Sequence, residues 1–320
     1  MSQARQVIDL SGNHWKMERM RPGAGVEEGL HLLPAEYQGT YFSWNQATVP
    51  GDVYTDLHRA GELDDPYFGR NMGRAKWAQE YEWWYSRRFN LPESMQGKQI
   101  HIEFDGVDYG CDVYFNSHLL GHHEGMFSGF SFNVTRYVNW SDWRGGSNIL
   151  MVKLDPPPKN LRNVGGRKWF YSGDYMTGLV PFGIWQPVRI LATDVVKIEG
   201  LRIESELHDS GAKGATVHVG VELSSILESP EEVAVSATVC GKNFKSQEYT
   251  QSVNQLVRHG SDNVAHLRIE IPDAKLWWPW DMGAQNLYDL HVSVARDGEL
   301  RDSMDQSFGV RDIQMQHNPT

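Results

Sequence analysis

IHIEFDGVDYGCDVYFNSHLLGHHEGM, residues 100–126, is the stretch whose reading decides the fold. In its opening run Ile100, Ile102 and Phe104 alternate with His101 and Glu103, the period-two pattern of a strand with one buried face. Asp105, Gly106 and Gly110 interrupt the pattern, and CDVYF resumes it, with Val113 and Phe115 on one face and Asp112 and Tyr114 on the other. Asn116 and Ser117 then offer a tight hairpin turn, because Asn tolerates positive φ, and His118-Leu119-Leu120 can return beside DVYF as a third strand. The unit reads as antiparallel, hence as the core of a β-sandwich.

The same residues, continued through Phe127, resemble the F-x-G-V-D-x-x-A-x-V-x-L-N-G-x-x-L-G-x-H-x-G-M-F stretch of the N-terminal sugar-binding domain of glycoside hydrolase family two. Hairpin, turn residue and the following Gly-Met-Phe fall in one uninterrupted register. Upstream, WNQATVPGDVYTDL (residues 44–57) resembles the W-x-x-A-x-V-P-G-x-V-H-x-D-L segment of that family. Residues 65–89, with Asn71, Trp77, Glu80, Trp83 and Tyr85, resemble the D-P-[FY]…N…W…W-x-Y-x-x-x-F stretch of its β-mannosidase branch. Read as bare sequence, Trp83 and Tyr85 are core aromatics, whereas for Trp77 a core role and a substrate-facing role stay equally open. VIDLSGNHWKM opens a first strand with Trp15 in the core, and residues 20–42, rich in Gly and without a steady period, read mostly as loop.

Downstream of the hairpin, MFSGFSFNVTRYV and SNILMVKLDPP read as two further strands. Pro156, Pro157 and Pro158 then end strand pairing, since a proline run supplies no ladder donors. A long loop over residues 159–181 follows and closes with GIWQPVRILAT, where Ile184, Val188, Ile190 and Ala192 restore a strand. Loops of this length are usually functional. The chain resets near Val195, after which short alternating strands recur as far as residue 294, the spacing of an immunoglobulin-like sandwich. KLWWPWDMGAQNLYDLHVSV and QSFGVRDI resemble the L-W-W-P…G-x-Q-x-L-Y and F-G-[FV]-R motifs that close this domain in the family, with Trp277, Trp278 and Trp280 expected to pack on a neighbouring domain rather than stack sugar. No long stretch carries a helical apolar stripe, so an α/β fold is excluded. The expectation is an all-β chain: a jelly-roll (galactose-binding-like) sandwich over residues 1–195, then an immunoglobulin-like sandwich over 196–320.

A net charge of −11 argues against nucleic acid, because phosphate contacts need clustered Lys and Arg. No segment approaches the ~20 apolar residues of a membrane span, and no membrane partner is expected. The opening MSQARQVIDLSGNHWKMERM lacks the apolar run of a secretory leader, and the only cysteines, Cys111 and Cys240, fall in strands of different domains and read as thiols. A cytoplasmic location is the expectation. Aromatic residues at 12% exclude disorder and suit carbohydrate, although aromatics also serve as plain core.

The resemblance carries the functional reading. In the family the two catalytic carboxylates lie on a barrel that follows the second sandwich. The sequence stops at Thr320, soon after Phe308-Gly309-Val310-Arg311, so the barrel is expected to be absent and no catalytic residue is assigned here. RKWFYSGDYMTGLVPFGIW resembles the β-mannosidase pattern R-K-A…G-W-D-W-G-P-R-L-V-T-S-G-I-W when both are anchored on Gly183-Ile184-Trp185. That register puts Asp174 on the Asp that binds hydroxyls of the terminal sugar and Arg167 on the motif arginine. Tyr175 replaces one motif tryptophan and Gly173 the other, and Met176-Thr177 replaces Gly-Pro, so the aromatic wall is altered. Taken alone, Asp174 is equally a solvated turn residue. The substrate-binding set expected is Asp174, Arg167, Tyr175 and Trp77. The partners are an oligosaccharide or glycoside and the catalytic barrel of the same polypeptide. No cofactor is called for. His118, His122, His123 and Glu124 do not make a metal site, because adjacent residues on a strand point to opposite faces. The function implied is the non-catalytic N-terminal part of a retaining exo-β-glycosidase resembling β-mannosidase; the competing class is a free-standing carbohydrate-binding or adhesion module.

Overall fold

The computed structural model describes residues 5–32, 43–141, 148–158, 179–208 and 214–313, apart from the side chain of Ser261. Contacts divide the chain into two compact units, Gln6–Ala192 and Thr193–Thr320, with Arg5 belonging to the second. Strands dominate both, and the longest helix among the described residues is Val53–Arg59.

The first unit contains, among its described residues, β1 (Gln6–Asp9), β2 (Gly12–Met20), β3 (Asn45–Val49), β4 (Glu82–Phe89), β5 (Gln99–Phe104), β6 (Gly110–Phe115), β7 (His118–Glu124), β8 (Phe130–Asn133), β9 (Asn148–Leu154) and β10 (Val188–Thr193). They form a four-stranded sheet, β1-β10-β5-β8, and a six-stranded sheet, β3-β2-β4-β9-β6-β7. Ile100, Ile102 and Phe104 of β5 share one buried cluster with Cys111, Val113 and Phe115 of β6, so this core holds the two sheets together.

Here the structure corrects the reading of IHIEF and CDVYF as neighbours. β5 lies between β10 and β8, and β6 between β9 and β7 in the other sheet, so residues 105–109 cross the sandwich instead of closing a hairpin. The cause is where the connection's backbone groups find partners. The Asp105 N–H donates to the Pro187 carbonyl (3.0 Å), and Asp108 and Gly183 exchange both N–H···O bonds (2.9 and 3.1 Å). The second turn is as read. Asn116 and Ser117 both have positive φ (47° and 71°), the two-residue geometry that matches strand twist, and β7 continues to Glu124.

Tyr114 also departs from its expected polar face. It is 6% exposed and packs with Met20, Ala24, Leu30, Trp84 and Met151 in a second apolar cluster. Residues 24–32, read as loop, supply its cover through a helical turn (Ala24–Glu27) and a 3-10 turn (Leu30–Leu32). Glu82 anchors them, its carboxylate accepting from the N–H of Gly23 (2.8 Å) and Gly25 (3.0 Å) and from Trp84 Nε1 (2.8 Å). A Cβ at Gly25 would lie 2.2 Å from Trp84 Nε1, so only glycine allows this approach. With a covered face on either side, β4 cannot show period-two alternation.

Each hairpin histidine has its own local partner. His118 stacks on Tyr137, His123 stacks on Phe130, and His122 Nδ1 bonds Asp112 (2.7 Å), which also pairs with Lys153. Among the described residues no group of three or more His, Cys, Asp or Glu side chains is arranged to hold a metal ion. Cys111 and Cys240 are free thiols.

The second unit contains β11 (Val196–Leu207), β12 (Ala215–Ser225), β13 (Glu231–Gly241), β14 (Tyr249–Val257), β15 (Gly260–Ile271), β16 (Tyr288–Arg296) and β17 (Glu299–Phe308). Two antiparallel sheets, β11-β12-β15 and β14-β13-β16-β17, enclose Val217, Val219, Val221, Val235, Val239, Leu290 and Val292. Arg5 closes this unit at Asp302, whose side chain is fully buried. The LWWP and FGVR motifs interlock: the Trp277 N–H donates to the Val310 carbonyl (2.8 Å), and the Arg311 guanidinium lies over the indole, 5.2 Å from its ring centre. Trp280 is 84% exposed within the described chain.

Candidate functional site

The root of the 159–181 loop is built from two sequence motifs that meet in space. In TVPGD a Cβ on Gly51 would stand 2.2 Å from the Thr48 carbonyl oxygen, so the tight turn requires glycine. Asp52 follows in extended conformation and caps the Val53–Arg59 helix, accepting from the N–H of Tyr54 (3.0 Å) and Thr55 (3.1 Å) and from Thr55 Oγ1 (2.6 Å). Asp56, one turn on, is 1% exposed. Its carboxylate reaches back to the Thr48 N–H (3.1 Å) and pairs with Arg59 (3.1 Å), tying strand, turn and helix together. Burial pushes the Asp56 carboxyl up to about 6, against the pull of the Thr48 N–H and Arg59 and with some help from the charge of Asp52.

PFGIW locks onto that turn. The N–H groups of Gly51 and Val53 donate to the carbonyls of Ile184 (2.9 Å) and Phe182 (3.0 Å), and a Cβ on Gly183 would lie 2.7 Å from the Gly51 oxygen. Phe182 and Ile184 are each 1% exposed, and Phe182 meets Tyr54 edge to face. Trp185 Nε1 donates to the Met126 carbonyl (2.9 Å) and its ring meets Phe127, so GIW is seated on the GMF that ends the deciding stretch. The loop therefore leaves from a fixed point in the core.

Beside this root is a cleft of about 510 Å³. Asp52, Thr55 and His58 line it from the helix, Asp65 and Tyr67 from the DPYF turn, and Leu179 and Pro181 from the loop's end. The turn is closed by Asp65, whose carbonyl accepts from the Phe68 N–H and Asn71 Nδ2 and whose Oδ1 accepts from the Tyr67 N–H (2.9 Å). Tyr67 and Phe68 stand 89% and 76% exposed.

Of the expected binding residues, Arg167, Asp174 and Tyr175 lie outside the described residues, as do Gly173, Met176 and Thr177. Trp77 is half-buried and is not among the residues lining the cleft; its ring packs near Tyr81 (5.9 Å) and Trp83 (6.1 Å), with the Arg19 guanidinium over it at 5.0 Å. Trp15, Trp83 and Tyr85 are core. Sequence reasoning passed over His58, Asp65 and Tyr67 as site residues. The available signal was an aromatic pair set between Pro66 and Gly69, where a turn leaves no core for it to join.

Two successive β-sandwiches, the first with a cleft at the root of its long loop, define the class of fold. Residues 24–177 match the family model described as glycosyl hydrolase 2 galactose-binding domain-like, and residues 196–311 the one described as glycosyl hydrolases family 2. The chain belongs to glycoside hydrolase family 2. It is 26% identical to β-mannosidase B of Emericella nidulans over 298 residues, covering 85% of this chain and 33% of that protein. With the β-mannosidase of Mus musculus the identity is 24% over 294 residues, covering 84% and 33%. Among solved structures, a β-D-mannosidase from Dictyoglomus thermophilum superposes with TM-score 0.69 at 22% identity, over 97% of this chain and 36% of that one, a likeness of fold. The chain thus spans about a third of the length of the curated relatives it matches.

Proposed function

We propose that these residues form the non-catalytic N-terminal part of a larger retaining exo-β-glycosidase that removes a terminal β-linked sugar, with β-mannosides as the first substrates to test. The observation that carries this reading is the pattern of likeness: relatives named β-mannosidase match over most of this chain but over only a third of themselves. In a retaining glycosidase one carboxylic acid protonates the leaving oxygen, and a second carboxylate ~5 Å away attacks the anomeric carbon to give a glycosyl-enzyme that water then hydrolyses. Both groups are assigned to the remainder of the parent. This chain contributes substrate contacts. Asp174, as a carboxylate, accepts two sugar O–H donors in short charge-assisted bonds, and Arg167 and Tyr175 of the same loop are the further contacts assigned. The fixed root at Phe182, Gly183 and Ile184 supports this role, since a contact carried on an anchored loop orients a substrate better than one on a free strand of chain.

In the full-length parent, Asp174→Ala is expected to lower kcat/KM on an aryl β-mannoside by roughly ten- to a hundred-and-fifty-fold, the equivalent of one lost charged hydrogen bond. Asp174→Asn keeps the shape without the charge and should fall between. A near-wild-type value for the alanine variant would refute the loop register. Comparing aryl β-mannoside, β-glucoside and β-galactoside reads the effect of the altered wall at Gly173 and Tyr175.

A further inference from the structure

We propose that the cleft between the Val53–Arg59 helix and the DPYF turn is itself a binding site for a neutral saccharide, with Tyr67 as its stacking platform. The argument is an inventory of what its polar groups have left to offer. Asp65 uses Oδ1 on the Tyr67 N–H, and Oδ2 has no protein partner among the described residues. His58 Nδ1 lies 2.9 Å from the Leu63 carbonyl, which can only accept, so Nδ1 carries the proton and Nε2 of the neutral ring is left as an acceptor. Thr55 Oγ1 gives its hydrogen to Asp52, leaving its lone pairs free. The capacity that remains on these three side chains is therefore for accepting. A complementary ligand must bring donors, and several of them.

Two ligand classes bring donors in number: polyhydroxyl compounds and polyamines. The rest of the lining separates them. Tyr67 presents its ring to solvent at 89% exposure, and Met72, Leu179 and Pro181 give the cleft an apolar floor, a surface that suits the C–H face of a pyranose and not the hydration shell of an ammonium. The carboxylates of Asp52 and Asp65 exclude uronates and sugar phosphates by like charge. At about 510 Å³ the cleft falls inside the usual range for small-ligand sites, ~300–1,000 Å³. Only the choice of probe sugar rests on the glycosidase reading, and binding to this chain is measured apart from turnover by the parent, so either can fail alone.

The test is calorimetric titration of the 320-residue chain with β-1,4-mannotriose, cellotriose, trigalacturonate and spermidine. Binding of at least one neutral trisaccharide is expected, weakened about tenfold or more by Tyr67→Ala and several-fold by Asp65→Asn. Both side chains are exposed, so thermal unfolding of the variants should match wild type, and Trp280→Ala, an exposed aromatic of the second unit, should leave the affinity unchanged. No binding of either neutral sugar, binding indifferent to Tyr67→Ala, or tighter binding of trigalacturonate or spermidine would each overturn the proposal.

Discussion

Replacing Asp302 with alanine is expected to destabilise the second sandwich by about 3–5 kcal/mol, the range for removing one partner of a buried ion pair. Asp302 is fully buried and accepts four hydrogen bonds: Arg5 Nε (2.9 Å), Arg5 Nη2 (2.7 Å), the Ile198 N–H (2.7 Å) and the Ser303 N–H (2.9 Å). Arg5 Nη2 also donates to the Ile198 carbonyl (2.8 Å), so the guanidinium spans β11 and β17. Alanine leaves the Arg5 guanidinium without its counter-charge and the N–H groups of Ile198 and Ser303 without their acceptor. Arg5→Met should fall in the same range, because it leaves the buried carboxylate with its two backbone donors but without its cation. Two units make a single unfolding transition unsafe, so the readout is native-state hydrogen exchange at amides of β13 and β16. A fall in their opening free energy below about 1 kcal/mol would show that the clasp is peripheral.

The second large effect is a pH dependence at Asp56. Its folded-state carboxyl is pushed up to about 6 from an ordinary 3.8, with burial as the main cause. The folded protein thus holds this proton more tightly than the unfolded chain. The stabilising contribution is complete below the unfolded value and is lost as pH rises through the folded one. By linkage the group costs the first sandwich about 3 kcal/mol between roughly pH 4 and pH 7. Asp56→Asn keeps an oxygen for the Thr48 N–H and frees only Arg59, whose side chain is 58% exposed. The variant should therefore be relatively more stable than wild type at neutral pH and lose that advantage in acid. Native-state hydrogen exchange at amides of β4 and β9 in both proteins across this range checks it, and parallel pH profiles would refute the assignment.

How much of this was legible in the sequence depends on whether the deciding force is local. The Asn116-Ser117 turn was, because positive φ is a property of the residues in the turn. The second sandwich was too, since β12, β13 and β16 each bury one face and alternate cleanly. Periodicity states that a face is buried without stating what buries it. For that reason β5 and β6 read as neighbours although their partners, β10 and β9, come much later in the chain, and Tyr114 read as polar-facing although residues 24–32 fold over it. Arg5 and Asp302, 297 positions apart, carry no motif at all. At the site, the VPGD and GIW segments stood out by resemblance, but their meeting in space and the cleft beside them did not, because the exposure of Tyr67 is fixed by the Asp65 turn and not by composition.

The central proposal is that these residues are the non-catalytic part of a glycosidase whose catalytic carboxylates lie elsewhere in the parent. Incubating the purified 320-residue chain with an aryl β-mannoside and following aglycone release tests it most directly. The account predicts release at the uncatalysed rate, unchanged by any substitution in the chain. Turnover above that rate, abolished by a single Asp or Glu substitution within residues 5–313, would contradict it.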